Sequence, residues 1–269
     1  MYVFDMTDKI SLDLSIRNAI AASFVAGLLL GVVAGGAGAL TLQETPQTLE
    51  SASTDNPSPS PTTSDTQQES KDGGNTVSVA DLTWNDDPVL GDKDAEVTLV
   101  WFSDLNCMYC RRFAQNTFPQ IRENYVSQGD VRVVKKDFIT MGENSVTLAK
   151  ASQAAWQLVG EDDPEVFWTW SDTISENQPE RKRNSKNVTE DIVSTTREVD
   201  GIDAEQLREK MKEISEDEIN RDVQDGKQRG ISGTPGFLIF KTGSDEAKQM
   251  TGAQPYSSFE SEINNLLES

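Results

Sequence analysis

Histidine is missing from this sequence of 269 residues, and cysteine occurs only twice, at Cys107 and Cys110. Without histidine, Ser–His and Cys–His catalysis, histidine metal sites and the usual pH switch are all excluded. Two cysteines three positions apart cannot make a four-cysteine zinc site, and no histidine can complete a mixed one. One short loop also cannot staple a disulfide-rich scaffold of this length. Chemistry between the two sulfur atoms is the use that remains to be considered.

Basic residues are scarce as well, because 24 Lys and Arg face 45 Asp and Glu and leave a net charge of -21. Phosphate backbones are bound by clustered Lys and Arg, so this balance argues against a nucleic-acid partner. It argues equally against docking on an anionic membrane surface. The acidic excess indicates a solvated surface that keeps the protein soluble, and it suits surroundings of high salt.

A long run without any charge, residues 18–42, lies near the N-terminus. It is predicted to be a transmembrane signal-anchor helix, since about 20 apolar helical residues cross a bilayer core. Arg17 borders the run, so residues 1–17 are expected in the cytoplasm and the rest of the chain outside it. The alternative is a cleaved signal peptide with Ala37–Ala39 as its small-residue cleavage site.

Residues 43–80 are rich in Ser, Thr, Pro, Asp and Gln and have almost no large apolar side chain. Such a segment buries too little apolar surface to offset the entropy of ordering, so it is predicted to be a disordered linker. Its expected role is to tether the following domain, residues 81–269, away from the membrane. The chain is thus predicted to have one globular domain.

The first half of that domain shows a strand, a helix and a second strand in succession. Glu96–Phe102 is almost continuously apolar towards its end, as in a strand that is buried on both faces. Apolar residues at helical spacing follow over Arg111–Val126, where Pro119 is expected to kink the helix. Val131–Val134 is predicted to be the second strand, and this order of elements predicts parallel pairing.

The second half is helical before it returns to strands. Residues 145–229 carry several apolar stripes at helical spacing, and Asp203 is the expected N-cap of one of these helices. Phe237–Phe240 is predicted to be a third strand and Ala247–Thr251 a weaker fourth, before a last helix that begins near Pro255. The sequence therefore predicts an α/β domain.

Cys107 and Cys110 stand where the loop after the first strand meets the first helix. A helix N-terminus has unpaired N–H groups and a partial positive charge, which favour a thiolate at the first cysteine. At this spacing the two thiols can exchange disulfides through a mixed intermediate. We predict a redox-active disulfide in which Cys107 is the more exposed, attacking residue and Cys110 resolves. The alternatives are two buried residues without chemistry, or a metal held with nearby carboxylates.

A second feature is the dipeptide Thr234-Pro235, which stands just before the third strand. An X-Pro bond can be cis at modest cost, and a cis bond usually marks a tight turn. In the functional interpretation, backbone groups of Thr234 pair with an extended substrate beside Cys107. The alternative is a trans turn that only introduces the strand. Thr234 and Pro235 are accordingly the predicted substrate-binding residues.

From about Asp86 to Leu267 the chain resembles the DsbA-like branch of the thioredoxin superfamily. A CxxC pair, a late Thr-Pro and a helical insertion between them form a fairly specific combination. The motifs that carry the resemblance are Asp87-Pro88 with Gly91, Phe102-Ser103-Asp104 before Cys107-Met108-Tyr109-Cys110, then Phe113, Lys136-Asp137-Phe138, Gly230-Ile231-Ser232-Gly233-Thr234-Pro235 and Gly252.

The resemblance implies a thioredoxin fold with an inserted helical domain at about 145–229, and a cis proline at Pro235. It also implies a protein thiol–disulfide oxidoreductase that forms or exchanges disulfides in exported proteins. No cofactor or metal is expected, but a membrane-bound or soluble redox partner would have to recycle the pair. Together with the N-terminal helix, this predicts a single-pass protein of the cell membrane with its catalytic domain outside the cytoplasm.

The sequence departs from the family at two places beside the cysteines. Met108 and Tyr109 stand where many relatives have Pro and His, which removes a donor and a positive charge and argues against a strongly oxidising pair. Trp101 stands six positions before Cys107, where many relatives have an acid that takes the proton of the resolving thiol. Asp104 is nearer in sequence but is expected in the loop. The sequence therefore leaves the proton route open.

The direction of electron flow is open as well. An oxidase is the first choice, while a reductase or an isomerase of the same fold remains an alternative. A function of another class also fits these residues: a redox-silent substrate-binding module or chaperone on the membrane surface. Such a module would use the groove beside Thr234-Pro235, and its cysteines would only staple a turn.

Overall fold

A computed structural model describes residues 75–84, 86–178 and 185–269, which contain one six-stranded sheet of order β1-β6-β5-β3-β4-β2. Its strands are β1 (Thr76–Ser78), β2 (Val89–Leu90), β3 (Val97–Ser103), β4 (Val131–Asp137), β5 (Gly236–Lys241) and β6 (Glu246–Thr251). The helices of the described part are α1 (Met108–Asn116), α2 (Phe118–Ile121), α3 (Glu143–Val159), α4 (Pro164–Glu176), α5 (Val188–Thr196), α6 (Ala204–Glu213), α7 (Glu216–Gln228) and α8 (Tyr256–Leu267).

Several predicted segments fall outside the described residues. They are the cytoplasmic segment 1–17, the transmembrane helix 18–42 and most of the linker 43–80. Within the described ranges, no helix has both the length and the apolar character that crossing a membrane requires.

The sheet begins earlier than the boundary predicted at residue 81. Strand β1 pairs antiparallel with β6, and Val77 stands opposite Ala247. Val77 and Val79 alternate with Thr76 and Ser78, but this alternation is too short to identify a strand from the sequence. A strand of three residues is ordered by its hydrogen bonds to the edge of the sheet. The prediction of a disordered linker was therefore wrong for Thr76–Ser78.

Strand β3 is the centre of the sheet, and all of its residues are buried. It runs parallel to β4 and antiparallel to β5, so that Trp101 stands between Lys135 and Phe237. The predicted parallel pairing of the first two long strands is confirmed. Helices α3 to α7 come between β4 and β5 along the chain, which agrees with the predicted helical insertion.

The predicted helix over Arg111–Val126 is divided in the structure. Helix α1 ends at Asn116, α2 begins at Phe118, and a π-helical turn over Arg122–Val126 follows. Pro119 lies in the first turn of α2, where its missing N–H costs no helical hydrogen bond. The proline therefore opens a new helix rather than kinking a continuous one.

Aromatic rings fill the layer between α1 and the sheet. The Trp101 ring lies with its centroid 4.7 Å from that of Phe113, and Phe113 lies 4.6 Å from Phe237. Phe118 and Trp168 extend the same cluster to α2 and α4. Because the side chain of Phe113 points into this cluster, the first turn of α1 is held at the end of β3.

Helix α7 covers the other face of the sheet so closely that Gly226 has no room for a side chain. A Cβ atom there would lie 2.8 Å from the Phe138 ring and 3.1 Å from the Phe102 ring. We expect Gly226→Ala to lower the free energy of unfolding by about 1 kcal/mol. Overpacking costs about 1–3 kcal/mol, and the gain in helix propensity offsets about 1 kcal/mol of that cost.

Denaturant unfolding measures this effect, and Gly233→Ala is the matched control. A Cβ atom at Gly233 would meet nothing within 4 Å, so that variant should lose less than about 0.5 kcal/mol. Equal stability of the two variants would contradict the close approach of α7.

Candidate active site

The two cysteines lie at the start of α1. Cys107 is the N-cap residue, and Cys110 lies in the first turn. The short loop from β3 is fixed by its own hydrogen bonds: the Cys107 N–H donates to Asp104 O at 2.9 Å, and the Asn106 N–H donates to Asp104 Oδ1 at 2.8 Å. Asp104 thus belongs to the loop, as predicted, and its carboxylate organises the approach to the helix.

Both cysteines are free thiols, and both are buried, with exposed fractions of 1% for Cys107 and 2% for Cys110. Exposure therefore does not distinguish the two thiols, and that Cys107 is the more exposed residue stays a prediction. The residues between them are open instead, since Met108 and Tyr109 are each 49% exposed. The Arg112 guanidinium lies 5.4 Å from the centroid of the Tyr109 ring, so this arginine packs on the exposed surface beside the pair.

The environment of Cys107 favours a thiolate. A hydrogen bond from the Cys110 thiol is the largest influence; together with hydrogen bonds from Thr234 and from the N–H groups of Cys110 and Tyr109, it outweighs burial. The pKa of Cys107 is lowered to about 5. These surroundings suit the predicted attacking role of Cys107, because the thiolate and not the thiol attacks.

Cys110 has the opposite character. Burial is the largest cause that raises its pKa well above that of a free thiol, and the neighbouring Cys107 raises it further. Its Sγ accepts a hydrogen bond from the Asp104 N–H at 3.4 Å. The two thiols thus differ by their surroundings, as an attacking and a resolving residue must.

Thr234-Pro235 lies directly beside Cys107, although 127 positions separate Thr234 from it. The Cys107 Sγ–H donates to Thr234 O at 3.5 Å, and the Thr234-Pro235 bond is cis, as predicted. The alternative of a trans turn is therefore wrong. Whether Thr234 and Pro235 bind substrate stays a prediction, which their position beside the reactive sulfur supports.

Thr140 joins this site without having been identified from the sequence. Its N–H and its Oγ1–H both donate to Asp104 Oδ2 at 2.8 Å, and its hydroxyl lies 3.3 Å from the hydroxyl of Thr234. The loop after β4 is thereby tied to the loop before α1. Thr140 follows the Lys136-Asp137-Phe138 motif, which is the only signal in the sequence that could have suggested it.

Trp101, which stands where relatives have an acid, is buried in the aromatic cluster below α1. Its neighbour on β4 is Lys135, whose Nζ lies 5.8 Å from the centroid of the Trp101 ring. Among the described residues, no cluster of three or more ligating side chains is placed to hold a metal ion.

The low pKa of Cys107 can be tested by titrating the reduced chain. We expect thiolate absorbance and alkylation rate to change with a midpoint near pH 5. Because this pKa lies below that of an unfolded thiol, the thiolate stabilises the reduced chain fully above about pH 9. That contribution is lost as the pH falls through about 5.

Cys110→Ala is the informative variant for this titration, because it removes the donor that most lowers the pKa of Cys107. Its midpoint should rise by about one to two pH units, since a hydrogen bond to a charged group contributes about 1.5–3 kcal/mol. A midpoint in the range of an ordinary thiol for the unmodified chain would contradict the geometry of the pair.

Comparison with known proteins gives a consistent result. A sequence-family model described as Thioredoxin matches residues 83–256. The chain is 29% identical over 155 residues to the disulfide bond formation protein D of Bacillus subtilis (strain 168), covering 56% of this chain and 67% of that protein.

Solved structures agree with the sequence comparison. The oxidised BdbD crystal structure from Bacillus subtilis has a TM-score of 0.60 and 26% identity, and covers 70% of this chain and 96% of that one. The Chlamydia trachomatis DsbA crystal structure has a TM-score of 0.57 at 16% identity, and covers 67% of this chain and 91% of that one. The second likeness concerns the fold alone.

Proposed function

The chain belongs to the thioredoxin family and is a thiol–disulfide oxidoreductase, and we propose that it introduces disulfides into exported proteins outside the cytoplasm. The observation that carries this proposal is the unequal pair at the N-terminus of α1. Cys107 is stabilised as a thiolate, and Cys110 is buried as a thiol beside it. Two buried cysteines without chemistry would not require surroundings that lower the pKa of one thiol and raise the pKa of the other.

The reaction begins from the oxidised pair. A substrate thiolate attacks the Sγ of Cys107, a mixed disulfide forms, and the electron pair of the broken S–S bond leaves on Cys110. A second cysteine thiolate of the substrate then attacks the substrate sulfur that is bonded to Cys107. Cys107 leaves as a thiolate. The substrate has gained a disulfide, and the pair has gained two electrons and one or two protons.

The pKa of Cys107 supports oxidation as the favoured direction. A thiolate that is stabilised in the reduced chain makes reduction of the pair more favourable, and a low-pKa thiol is also the better leaving group. This stabilisation comes from Cys110, Thr234 and backbone N–H groups, and it requires no histidine between the cysteines. The absence of Pro and His at Met108 and Tyr109 therefore does not argue against an oxidase as strongly as the sequence suggests.

The cis Thr234-Pro235 turn is the proposed place for the substrate. Thr234 O lies 3.5 Å from Cys107 Sγ, so an extended peptide that pairs with this backbone would bring its own cysteine beside Cys107 Sγ. Met108 and Tyr109, both half-exposed, would flank the same peptide. The substrates proposed are therefore unfolded exported chains that contain cysteines.

The proposed location is the outer face of the cell membrane, with the uncharged residues 18–42 as the single anchor and residues 1–17 in the cytoplasm. Support comes from the sequence, where about 20 apolar residues meet the thickness of a bilayer core. A disulfide-introducing pair also requires an oxidising compartment. A redox partner, in the membrane or soluble, would accept the two electrons and restore the disulfide.

The full-length oxidised chain should be mixed with reduced, unfolded ribonuclease while the recovery of ribonuclease activity is followed. An oxidase restores activity in proportion to the disulfide supplied, and reduction of insulin by the reduced chain should be slow by comparison. Fast insulin reduction without ribonuclease recovery would identify a reductase. Recovery of scrambled ribonuclease alone would identify an isomerase, and no effect in any assay would support the redox-silent module.

A further inference from the structure

The exposed side chains of α1 beside the cysteines combine apolar surface with positive charge. Met108 and Tyr109 are the large apolar side chains that the described residues expose, each to 49%. Arg111 and Arg112 follow them in the first two turns of the same helix. These four residues are called the active-site rim below. The chain as a whole has a net charge of -21, so two adjacent cations at its reactive end call for a physical reason.

Arg112 is held by a ring rather than by a carboxylate. Its guanidinium carbon lies 5.4 Å from the centroid of the Tyr109 ring, three positions earlier on the helix. A ring face attracts a cation but leaves the five N–H donors of a guanidinium able to bind an acceptor elsewhere. In the part of the chain that the structure describes, no carboxylate oxygen lies within 4.0 Å of this guanidinium.

Arg111 is also without an acidic partner among the described residues, although the chain has 45 acids. Other arginines are paired, as Arg197 and Arg208 are with Glu205. The Nε of Arg111 is shielded from solvent, and no described residue supplies it with a hydrogen-bond acceptor. The backbone N–H of Arg111 donates to Cys107 O at 3.1 Å, which places this residue one helical turn from the reactive cysteine.

The chemistry of the pair does not account for the two arginines. The groups that most lower the pKa of Cys107 are Cys110, Thr234 and backbone N–H groups, and neither guanidinium is among them. A guanidinium matches a carboxylate in geometry, because two parallel N–H···O bonds can form between them. The two cations therefore fit a carboxylate that arrives with the substrate.

We propose that Arg111 and Arg112 make the enzyme select substrate segments that carry acidic residues close to the reacting cysteine. This inference rests on the proposed function and names its substrate class. Arg112 lies five residues beyond Cys107, which is about 7.5 Å along the helix. An extended chain rises about 3.3 Å per residue, so the acids that meet the rim stand about two to four residues from the substrate cysteine.

The acidic excess of the enzyme opposes such a substrate at long range, and salt decides the balance. At an ionic strength of about 0.15 M the Debye length is about 8 Å, so repulsion from distant acids is largely screened. A carboxylate in contact with the rim lies well within that length and is still attracted. The proposal is therefore tested at this ionic strength.

The test follows the oxidation of three reduced two-cysteine peptides by the oxidised full-length chain. The peptides carry Glu, Gln or Lys two and three positions outside each cysteine and are otherwise identical. With Arg111→Gln/Arg112→Gln, the rate for the Glu peptide should fall about fivefold, the combined effect of two exposed ion pairs. The rate for the Gln peptide should fall less than about twofold, and the rate for the Lys peptide should rise. Each peptide is compared with itself, so its own thiol reactivity cancels.

Three controls isolate the charge of the rim. Arg221→Gln removes an exposed arginine from α7, on the opposite face of the sheet, and should keep all three rates within about twofold. Arg111→Lys/Arg112→Lys keeps both cations and should keep most of the rate for the Glu peptide. A Glu peptide whose acids stand about eight positions from each cysteine should lose its sensitivity to the glutamine variant, because those acids lie beyond the rim.

Equal slowing of all three peptides would show that the arginines act on the cysteine pair itself and would overturn the proposal. An unchanged rate for the Glu peptide in a glutamine variant that still unfolds cooperatively would overturn it as well. Failure of the proposed function has a different signature. In that case the unmodified oxidised chain would leave all three peptides reduced.

Discussion

Replacing Cys107 with serine is expected to abolish disulfide transfer, with a loss of at least about a thousandfold in the ribonuclease assay. The reason is that Cys107 alone combines a pKa lowered to about 5 with a position beside Thr234 O. Serine is not ionised at neutral pH and cannot form a disulfide. Cys110 cannot take over, because burial raises its pKa and the helix N-terminus serves Cys107.

Cys110→Ser cannot carry a disulfide, so it should also fail to oxidise reduced ribonuclease, and it is tested with scrambled ribonuclease instead. There its Cys107 can attack a substrate disulfide, but no second thiol can release the product, so a mixed disulfide with the substrate should accumulate. Non-reducing electrophoresis detects this adduct. The Cys107→Ser variant should form little or none of it.

Met108→Ser is the matched control, because it changes the exposed residue between the cysteines without touching either sulfur. It should keep the activity within about tenfold. Disulfide transfer that survives Cys107→Ser would remove the enzymatic interpretation. The groove beside Thr234-Pro235 would then be explained as a binding surface alone.

The sequence predicts the placement of the cysteine pair well because its parts are local. The N-terminus of a helix and the spacing of Cys107 and Cys110 are properties of consecutive residues, and the structure shows both. Asp203 is another local case, since its Oδ1 accepts from the N–H groups of Glu205 and Gln206 as an N-cap should. Thr234-Pro235 lies far from the cysteines in sequence. Its place beside them could be predicted only from the role that such a dipeptide has in the family that the chain resembles.

The parts that could not be predicted are tertiary. Thr140 contacts Asp104 over 36 positions, and no pattern in either segment announces the hydrogen bond. Lys135 and Lys136 would be expected to expose at least one of their charges, because neighbouring strand residues point to opposite faces. Both are buried, with exposed fractions of 1% and 2%, because helices cover both faces of the sheet at β4.

Lys136→Met is expected to be strongly destabilising, with a loss of about 3–5 kcal/mol in the free energy of unfolding. The Lys136 Nζ lies 2.6 Å from Asp87, 2.9 Å from Asp222 and 3.1 Å from Asp225. Methionine fills similar space but leaves these carboxylates without a cation. Removing one partner of a buried ion pair is costly because the other charge stays buried.

The balance of charge around Lys136 sets the pH dependence of this loss. Burial opposes its charge, but Asp222 and Asp87 outweigh burial and raise its pKa, so the lysine stays charged. With one ammonium for several carboxylates, burial and then the charge of Asp222 raise the pKa of Asp87 to about 8. A carboxyl whose folded pKa lies above its unfolded value destabilises the fold as the pH rises between the two values.

The loss caused by Lys136→Met should therefore be larger in mildly alkaline than in mildly acidic buffer, where the carboxyl groups bind protons. Denaturant unfolding at several pH values measures it. Lys150→Met is the matched control: its Nζ lies 3.6 Å from Glu216 at the surface, so it should lose less than about 1 kcal/mol at any pH. Adding Asp222→Asn to Lys136→Met should recover part of the loss, because it removes one of the stranded charges.

An equal loss in the two lysine variants would contradict this account of the β4 cluster. The outcome also bears on the active site, because Lys136 and Lys135 are neighbours that face opposite sides of one strand. Lys136 is held by carboxylates, whereas Lys135 is held by a hydroxyl and two rings. Because Lys136 lies on the face of β4 away from the cysteines, Lys136→Met should lower stability with little change in the rate at which the oxidised pair reacts with a small thiol.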